Sequence, residues 1–372
     1  MMIPNKKLGF GLMRLPLTNT QDYKTIDMDK AKQMIDTFMN NGFTYFDTAY
    51  VYHGGISEKM FGELVSKRYP RESFTVTSKM PMFIIEKIED YERIFNEQLT
   101  RCQVEYFDYY FLHSLNINTY NDKVVPHKAF EFIAKKKEEG KIKHIGFSFH
   151  DTAEVLDKIL TEHPEVELVQ LQINYIDWES EAIQSRKCYE VCVKHNKKVA
   201  IMEPLKGGKL INIPQEAIKL FKQHSNLSVA SWGLRYAASL ENVIIVLSGM
   251  STIEQVEDNI SFMKDFKPLS NEEQCVIKEV VDIIKNAIAI PCTDCKYCID
   301  GCPMQIQIPK YFSLYNNTKQ FGHLKEHDDR FKRLSDNGGL PSACIECGQC
   351  VSVCPQHINI IENLKVISKE FE

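Results

Sequence analysis

Strand-like and helix-like segments alternate along residues 6–265 of this chain, and this alternation constrains the fold more than any other feature. Each apolar run rich in Val, Ile, Phe and Tyr is followed by a segment of helical periodicity. The eight predicted strands are GFGLMRL, FTYFDTAY, FTVTSKM, YFDYYFLHS, IKHIGFSF, LVQLQINY, KVAIMEPL and NVIIVLSGM. Eight repeats in about 260 residues predict an α/β fold, a (β/α)₈ TIM barrel. A doubly wound open sheet is the alternative, but it would normally carry a GxGxxG turn after its first strand, and the sequence has none.

Four residues suited to acid–base chemistry fall at or just after the ends of predicted strands: Asp47, Tyr52, Lys79 and His113. The carboxyl ends of barrel strands form one mouth, so we expect the four side chains to converge there. Each residue alone has a structural interpretation, such as a buried ion pair, a rim aromatic or a core histidine. Their coincidence favours a catalytic site.

The four residue types together fit the reduction of a carbonyl. A tyrosine hydroxyl has a pKa of ~10, and we expect the ammonium of Lys79 to lower the pKa of Tyr52. Asp47 would keep Lys79 charged and oriented. His113 would hydrogen-bond the substrate oxygen, and Tyr52 would give its proton to the developing alkoxide.

The segments DTAYVY, TSK and FLH, which contain these residues, closely resemble the motifs of the aldo/keto reductase family. The resemblance covers roughly residues 6–265, and we expect a barrel domain over residues 1–268. It implies a (β/α)₈ barrel that acts on a small carbonyl or alcohol with a nicotinamide cofactor lying across the barrel mouth. It also implies that the four residues are the catalytic tetrad.

The same resemblance implies a set of cofactor-binding residues. Those expected at the nicotinamide are Ser148, Gln170, Gln172 and Met202, and those expected at the adenosine phosphates are Ser248, Gly249, Met250, Ser251, Gln255 and Asn259. Phe149 stands where many members have Asn, and Gly249 and Gln255 stand where NADP-using members commonly have Lys and Arg. The choice between NADP and NAD therefore stays open, and a flavin is a further alternative. The non-catalytic alternative is that the barrel has lost cofactor binding and serves as a scaffold.

Eight of the twelve cysteines lie in two similar runs, CTDCKYCIDGCP from Cys292 and CIECGQCVSVCP from Cys344. Each run has the spacing C-x₂-C-x₂-C-x₃-C-P, which bacterial ferredoxins use to bind [4Fe–4S] clusters. Zinc is the alternative, but structural zinc usually takes two CxxC pairs and would leave the fourth cysteine of each run unexplained. The runs therefore predict two [4Fe–4S] clusters.

In two-cluster ferredoxins the fourth cysteine of a run binds the other cluster. This rule predicts one ligand set of Cys292, Cys295, Cys298 and Cys354, and a second set of Cys344, Cys347, Cys350 and Cys302. The segment between the runs has helical periodicity and resembles the helical ferredoxin modules attached to larger redox enzymes. We expect a small, mainly helical ferredoxin-type domain over residues 269–372, including a connecting helix. The remaining cysteines, Cys102, Cys188, Cys192 and Cys275, are expected on buried faces, with metal binding as the alternative for Cys188 and Cys192, which lie four apart on a predicted helix.

The composition narrows the classes of partner and location. A net charge of −5 argues against a nucleic-acid or acidic-membrane binder. The sequence has no secretory signal and no apolar stretch approaching the roughly 18 residues needed to cross a bilayer. We therefore expect a cytoplasmic protein, and in that reducing compartment the twelve cysteines are expected to bind metal and not to form disulfides.

Electron counting limits how the two parts could work together. Nicotinamide transfers two electrons as hydride, whereas an iron–sulfur cluster normally accepts one. One hypothesis is that a flavin, bound here or in a partner, mediates between them, and that the clusters link the barrel to a ferredoxin or another redox protein. A second is that the clusters are structural, and a third is an electron-transfer subunit whose barrel binds flavin or a redox partner.

Overall fold

The first structural feature is a closed barrel of eight parallel strands, each paired with its neighbours in sequence order and the last paired with the first. The computed structural model describes Pro4 and residues 6–20, 22–292, 294–354 and 356–372. The strands are β1 (Leu8–Gly11), β2 (Tyr45–Asp47), β3 (Thr75–Met80), β4 (Phe107–Leu115), β5 (Ile142–Phe149), β6 (Leu168–Gln172), β7 (Lys198–Met202) and β8 (Val243–Ser248). The predicted TIM barrel is confirmed, and every predicted strand overlaps an observed one.

The inside of the barrel is filled by side chains and is not a pore. Tyr45, Tyr109 and Phe111 are buried there with apolar residues from β6, β7 and β8. A Cβ atom on Gly146 of β5 would lie 2.8 Å from the Phe111 ring and 2.2 Å from the carbonyl oxygen of Leu168. Glycine is required at this position because the large ring takes the space of a side chain.

Most helices of the barrel sequence bury one apolar face in the core around the outside of the barrel. Several begin at a residue whose side chain caps the first turn, as Asp27 and Thr252 do. In chain order the helices are α1 (Met28–Asn40), α2 (Ser57–Phe61), α3 (Glu89–Cys102), α4 (Ile117–Thr119), α5 (Ala129–Glu138), α6 (Ala153–Glu162), α7 (Ser185–Lys194), α8 (Gln215–His224), α9 (Val229–Ser239) and α10 (Ile253–Met263). Helices α4 and α8 contribute no residue to this core.

The chain forms two compact units that are not contiguous in sequence. The first comprises Met1–Gly207 and Ala230–Asn271, and the second comprises Gly208–Val229 and Glu272–Glu372. Helix α8 therefore belongs to the second unit, although it lies within the predicted barrel sequence. The predicted boundary between residues 268 and 269 stays a prediction, since units built from separate segments define no single boundary.

The second unit is mainly helical. Besides α8 it contains α11 (Asn271–Asn286), α12 (Tyr297–Asp300), α13 (Ile308–Phe321), α14 (Lys325–Asp336), α15 (Gln349–Ser352) and α16 (Ile360–Phe371). Tyr311, Phe312 and Leu364 belong to its own apolar core, in which Cys298 and Cys350 are also buried. Across the described part of the chain, no helix combines the length and apolar character needed to span a bilayer.

Candidate active site and cysteine cages

Three of the four predicted tetrad residues form a hydrogen-bonded group at the carboxyl ends of the strands. Lys79 of β3 donates from Nζ to Asp47 Oδ1 at 2.6 Å and to the carbonyl oxygen of Thr48 at 3.0 Å. The same Nζ lies 3.4 Å from the hydroxyl oxygen of Tyr52, which follows β2 in a short 3₁₀ turn. The Lys79 side chain is fully buried and the Asp47 side chain is 4% exposed, so water does not screen this ion pair.

His113 of β4 lies against this group. Its ring packs edge-on against the Tyr52 ring, with 5.9 Å between the ring centroids, and Phe83 contacts it from a neighbouring loop. Its Nδ1 atom is buried and has no hydrogen-bond partner among the described residues. A buried nitrogen without a partner is costly, and a polar atom of a bound molecule would relieve that cost.

Burial and charge set the protonation states of these groups. Burial alone would lower the pKa of Lys79, but the Asp47 carboxylate outweighs it and raises that pKa, so Lys79 stays charged. Burial and, secondarily, the Lys79 charge lower the pKa of His113 to about 3, which keeps the ring neutral. Burial raises the pKa of Tyr52; the Lys79 ammonium does lower that pKa, as expected, but it offsets only part of the rise.

A second layer of polar side chains lies behind Lys79, and the sequence analysis missed it. Glu58 of α2 is fully buried and accepts hydrogen bonds from Ser78 Oγ and Gln98 Nε2, both at 2.6 Å. Gln98 also donates to the Lys79 carbonyl oxygen at 3.0 Å. Arg101 lies 3.4 Å from the second Glu58 oxygen. This network fixes the backbone of β3 where it presents Lys79.

Tyr52 and His113 open onto a cavity of about 1090 Å³. The loop that follows β1 forms one wall, and the first turn of α10 lines the cavity at Thr252 and Glu254. His53 holds the loop in place, because its Nε2 accepts from the Leu15 amide at 3.1 Å while its Nδ1 lies 2.6 Å from the carbonyl oxygen of Tyr23. This pairing requires the proton on Nδ1. Tyr52, His113 and the start of α10 therefore share one cavity.

The residues expected at the nicotinamide lie together at the ends of β5, β6 and β7. Ser148 pairs in register with Gln170, and Gln172 pairs with Met202. Ser148 Oγ accepts from the Ser114 amide at 2.7 Å, Gln170 Nε2 lies 3.4 Å from Asp47 Oδ2, and Gln172 lies 3.3 Å from an oxygen of Asp177. These four do not line the large cavity, and Gln172 faces a separate one of about 120 Å³. Their role in binding stays a prediction.

The residues expected at the adenosine phosphates form the turn from β8 into α10. Those that contact each other are Ser248 with Asn259, 2.8 Å apart, and Ser251 with Gln255, whose Oε1 accepts from the Ser251 amide at 2.8 Å. Met250 is buried in the apolar core, whereas Gly249 is exposed and Ser251 lines the large cavity. Most of these residues shape the turn, and Ser251 has the clearest access to a ligand.

The eight cysteines of the two runs lie around two small cavities. One is lined by Cys292, Cys295, Cys298 and Cys354, and the other by Cys302, Cys344, Cys347 and Cys350. Three cysteines of one run thus meet the fourth cysteine of the other, which is the grouping that the two-cluster rule predicts. Apolar side chains such as Phe312 and Ile306 supply the remaining walls. Four convergent thiols in an apolar setting fit an iron–sulfur cubane.

The two runs also share one backbone conformation. Left-handed backbone angles occur at Asp294 and Lys296 in the first run and at the equivalent Glu346 and Gly348 in the second. A helix then starts six residues after each fourth cysteine, at Ile308 and Ile360. Alternation of left- and right-handed residues turns backbone N–H groups inward, which suits an anionic cluster. Pro355, which closes the second run, lies outside the described residues.

The four cysteines outside the runs do not all behave as expected. Cys102, Cys188 and Cys192 are buried, but Cys275 is exposed, so the expectation for Cys275 was wrong. It lies in α11, whose buried face is formed by Val276, Ile277, Val280 and Ile284. Its neighbours on the helix take the inward positions.

Family models agree with this architecture. The Aldo/keto reductase family model matches residues 7–282, and the 4Fe-4S dicluster domain model matches residues 291–358. The fold and the matched length define the class as a TIM-barrel oxidoreductase with a carboxyl-terminal 4Fe-4S dicluster domain. The chain belongs to the aldo/keto reductase family.

Individual relatives share part of this organisation. L-galactose dehydrogenase of Arabidopsis thaliana is 24% identical over 75% of this chain and 91% of its own length. Probable aldo-keto reductase 1 of Glycine max is 30% identical over 46% of this chain, and the match spans only 48% of that relative. Among solved structures, an aldo/keto reductase from Klebsiella pneumoniae in complex with NADP and acetate has a TM-score of 0.60 at 20% identity, covering 74% of this chain and 91% of that one. The holo form of aldo-keto reductase AKR11C1 from Bacillus halodurans has a TM-score of 0.58 at 22% identity, covering 75% and 95%.

Proposed function

We propose that the barrel reduces a carbonyl, or oxidises the corresponding alcohol, with a nicotinamide cofactor. One observation carries the proposal: the Tyr52 hydroxyl lies 3.4 Å from the ammonium of a buried Lys79–Asp47 pair, at a cavity that His113 also lines. Dehydrogenase activity in the name of one relative and NADP in the solved Klebsiella complex support the assignment.

The cofactor, when bound, supplies hydride to the carbonyl carbon, and the chain's own residues manage the proton. Neutral His113 donates a hydrogen bond to the substrate oxygen and places it beside the Tyr52 hydroxyl. Tyr52 then transfers its proton to that oxygen and becomes a phenolate. Lys79 stabilises the phenolate, and Asp47 holds Lys79 charged and in position. A raised Tyr52 pKa suits this direction, because the donor keeps its proton until charge develops on the substrate.

The identity of the nucleotide is a separate proposal. The cavity of about 1090 Å³ joins the Tyr52 end to the first turn of α10, as an elongated dinucleotide requires. The first turn of α10 includes the Glu254 carboxylate, and Gly249 and Gln255 carry no positive charge. This charge pattern favours NAD over NADP at the adenosine end. A flavin in the same cavity is the alternative, and direct titration with each cofactor separates the three.

We propose two [4Fe–4S] clusters, each held by one of the two groups of four cysteines described above. The repeated backbone conformation and the apolar cavities support this assignment, together with the dicluster family match. The clusters would either relay electrons to a ferredoxin or another redox protein or hold the domain together. All twelve cysteines are free of disulfides, which suits a reducing cytoplasmic location.

A second candidate function is an electron-transfer subunit in which the barrel binds flavin or a redox partner. Anaerobic mixing of the cluster-loaded protein with NADH or NADPH separates the possibilities. Bleaching of the iron–sulfur absorbance without flavin indicates direct coupling, and bleaching only after flavin is added indicates a mediator. Turnover of carbonyls with no bleaching indicates structural clusters.

The Tyr52→Phe variant tests the proposed chemistry. It removes only the hydroxyl that donates the proton, so carbonyl turnover should fall by roughly 100-fold or more while nucleotide binding persists. Tyr106→Phe is the matched control, because Tyr106 precedes β4 at the opposite end of the barrel. Equal turnover of Tyr52→Phe and wild type would reject Tyr52 as the proton donor, whereas a wild type without turnover would favour a scaffold.

A further inference from the structure

The two groups of four cysteines are closely matched in exposure and in charge. The first cage consists of Cys292, Cys295, Cys298 and Cys354, and the second of Cys302, Cys344, Cys347 and Cys350. In both runs the first and fourth cysteines are partly buried, the second is exposed and the third is buried. Each run also carries a formal net charge of −1, from Asp294, Lys296 and Asp300 in the first and from Glu346 in the second. Cysteine exposure and charge within the runs therefore do not distinguish the two cages.

The walls of the two cages differ in polarity. Two residues after the fourth cysteine of each run, the chain places Gln356 in the wall of the first cage and Met304 in the wall of the second. Gln356 is the only residue with a side-chain amide among the described residues that line either cage. Tyr297 also lines the first cage, whereas the second has only apolar wall residues, such as Ile345. Polar side chains thus lie at one cage alone.

This difference bears on how readily each cluster would be reduced. A cluster that takes up one electron becomes more negative, so an N–H donor beside it stabilises the reduced state more than the oxidised state. An apolar wall does the opposite, because it solvates the added charge poorly. A glutamine amide has two N–H donors, and a methionine has none. A cluster in the first cage should therefore have the higher reduction potential.

We propose that Gln356 donates a hydrogen bond to the cluster of the first cage, which is then reduced before the cluster of the second cage. This inference rests on the proposed pair of [4Fe–4S] clusters. Each cluster takes one electron from a one-electron donor, such as a reduced ferredoxin or flavin. No bond breaks in this step and no proton is transferred. The two cages thereby acquire an order of reduction that the cysteine spacing alone does not give them.

Reductive titration of the anaerobically reconstituted full chain, followed by electron paramagnetic resonance, measures both potentials without any turnover. The wild type should show two separate one-electron steps. In Gln356→Met the step at higher potential should move toward the other, and its ratio of reduced to oxidised cluster at a fixed potential should fall about tenfold, which is about 59 mV. Met304→Gln should raise the lower potential by a similar factor.

Two further sets of variants assign the steps and control for the substitution. Cys295→Ser should remove the step at higher potential, and Cys347→Ser the step at lower potential. Gln349→Met is the matched control, because it makes the same exchange at an exposed glutamine of the second run that lines neither cage. It should shift neither potential. An iron content of about eight per chain shows that both clusters are intact in a variant.

A single potential for both clusters in the wild type would overturn the proposal. Unchanged potentials in Gln356→Met would also overturn it, as would a shift in Tyr297→Phe alone, which would make the tyrosine hydroxyl the donor. If Gln356→Met loses iron, Met304→Gln still decides, since an unchanged lower potential would contradict the effect of the amide. A wild type that binds no iron rejects the clusters and this inference together, whereas about eight irons with unchanged potentials in Gln356→Met rejects Gln356 alone.

Discussion

Replacing Asp47 by Asn should leave the Lys79 ammonium buried without the carboxylate that pairs with it. The two charged atoms lie 2.6 Å apart, and neither side chain is more than 4% exposed. Asn has nearly the same shape as Asp, so it can still accept a hydrogen bond from Lys79, as the carbonyl oxygen of Thr48 does at 3.0 Å. The substitution therefore removes a charge and little packing.

The loss of folding free energy in Asp47→Asn has an upper limit that depends on pH. Removing one partner of a buried ion pair typically costs about 3–5 kcal/mol. Lys79 can avoid the full cost by releasing its proton, and each pH unit below a lysine pKa of ~10.4 makes that release about 1.4 kcal/mol more expensive. The limit is thus about 4.6 kcal/mol at pH 7 and about 1.2 kcal/mol at pH 9.5. We expect a loss of about 3–4.6 kcal/mol at pH 7 and about 1 kcal/mol at pH 9.5.

The sign of the pH dependence follows from the Lys79 pKa. In the wild type this pKa is raised, so charged Lys79 stabilises the fold below the unfolded-state pKa, and that contribution is lost as pH rises through the folded-state value. In Asp47→Asn no carboxylate opposes the effect of burial, so burial lowers the Lys79 pKa. The unfolded state then binds more protons than the folded state, and stability rises from neutral pH toward ~10.

Urea unfolding followed by tryptophan fluorescence measures this effect in the barrel unit. Both tryptophans of the chain, Trp178 and Trp232, lie in that unit, so the signal does not report on the cysteine-rich unit. Glu181→Gln is the control: it breaks an exposed pair with Lys187 and should leave the unfolding curve unchanged. An equal destabilisation of Asp47→Asn at pH 7 and pH 9.5 would refute the reasoning.

Three further predictions concern other parts of the molecule. The His113 pKa is lowered to about 3 and the Tyr52 pKa is raised, so kcat/KM for carbonyl reduction should stay constant from pH 5 to 9. A fall in kcat/KM below about pH 6.5 that disappears in His113→Gln would contradict this expectation. Glu58→Leu should destabilise the barrel by about 2–4 kcal/mol in the same fluorescence assay, because buried donors lose their acceptor, and a loss no larger than that of Glu181→Gln would contradict this. Under the proposed cross-ligation, Cys302→Ser combined with Cys347→Ser should retain about four irons per chain, whereas combination with Cys295→Ser should retain almost none. The opposite iron contents would mean that each run holds its own cluster. Cys275→Ser is the control and should leave the iron content of the chain unchanged.

The barrel and the meeting of the tetrad could be predicted because both follow from periodicity along the chain. Asp47, Lys79 and His113 each lie near the end of a strand, and parallel strands place their ends at one mouth. The cluster ligands could be predicted for a similar reason, because the spacing of cysteines within a run is a local property of the sequence. Neither the closed barrel nor the pair of cysteine runs depends on individual side-chain contacts, so both could be predicted without them.

The properties that sequence did not reveal depend on burial and on contacts between distant segments. The Tyr52 pKa is a balance between burial and the Lys79 charge, and only the charge was visible as a residue type. Glu58 was not singled out, because glutamates are seldom fully buried, yet Ser78 and Gln98 hold it inside.

Isotope transfer tests the central claim most directly. The wild type would be incubated anaerobically with a panel of aliphatic and aromatic aldehydes and with NADH or NADPH carrying deuterium at C4 of the nicotinamide. Mass spectrometry of the alcohol product should show one deuterium on the carbinol carbon, and the signal should be lost in Tyr52→Phe and kept in Tyr106→Phe. Alcohol formed without deuterium from either C4 position, or with equal yield in Tyr52→Phe, would contradict hydride transfer assisted by this tetrad.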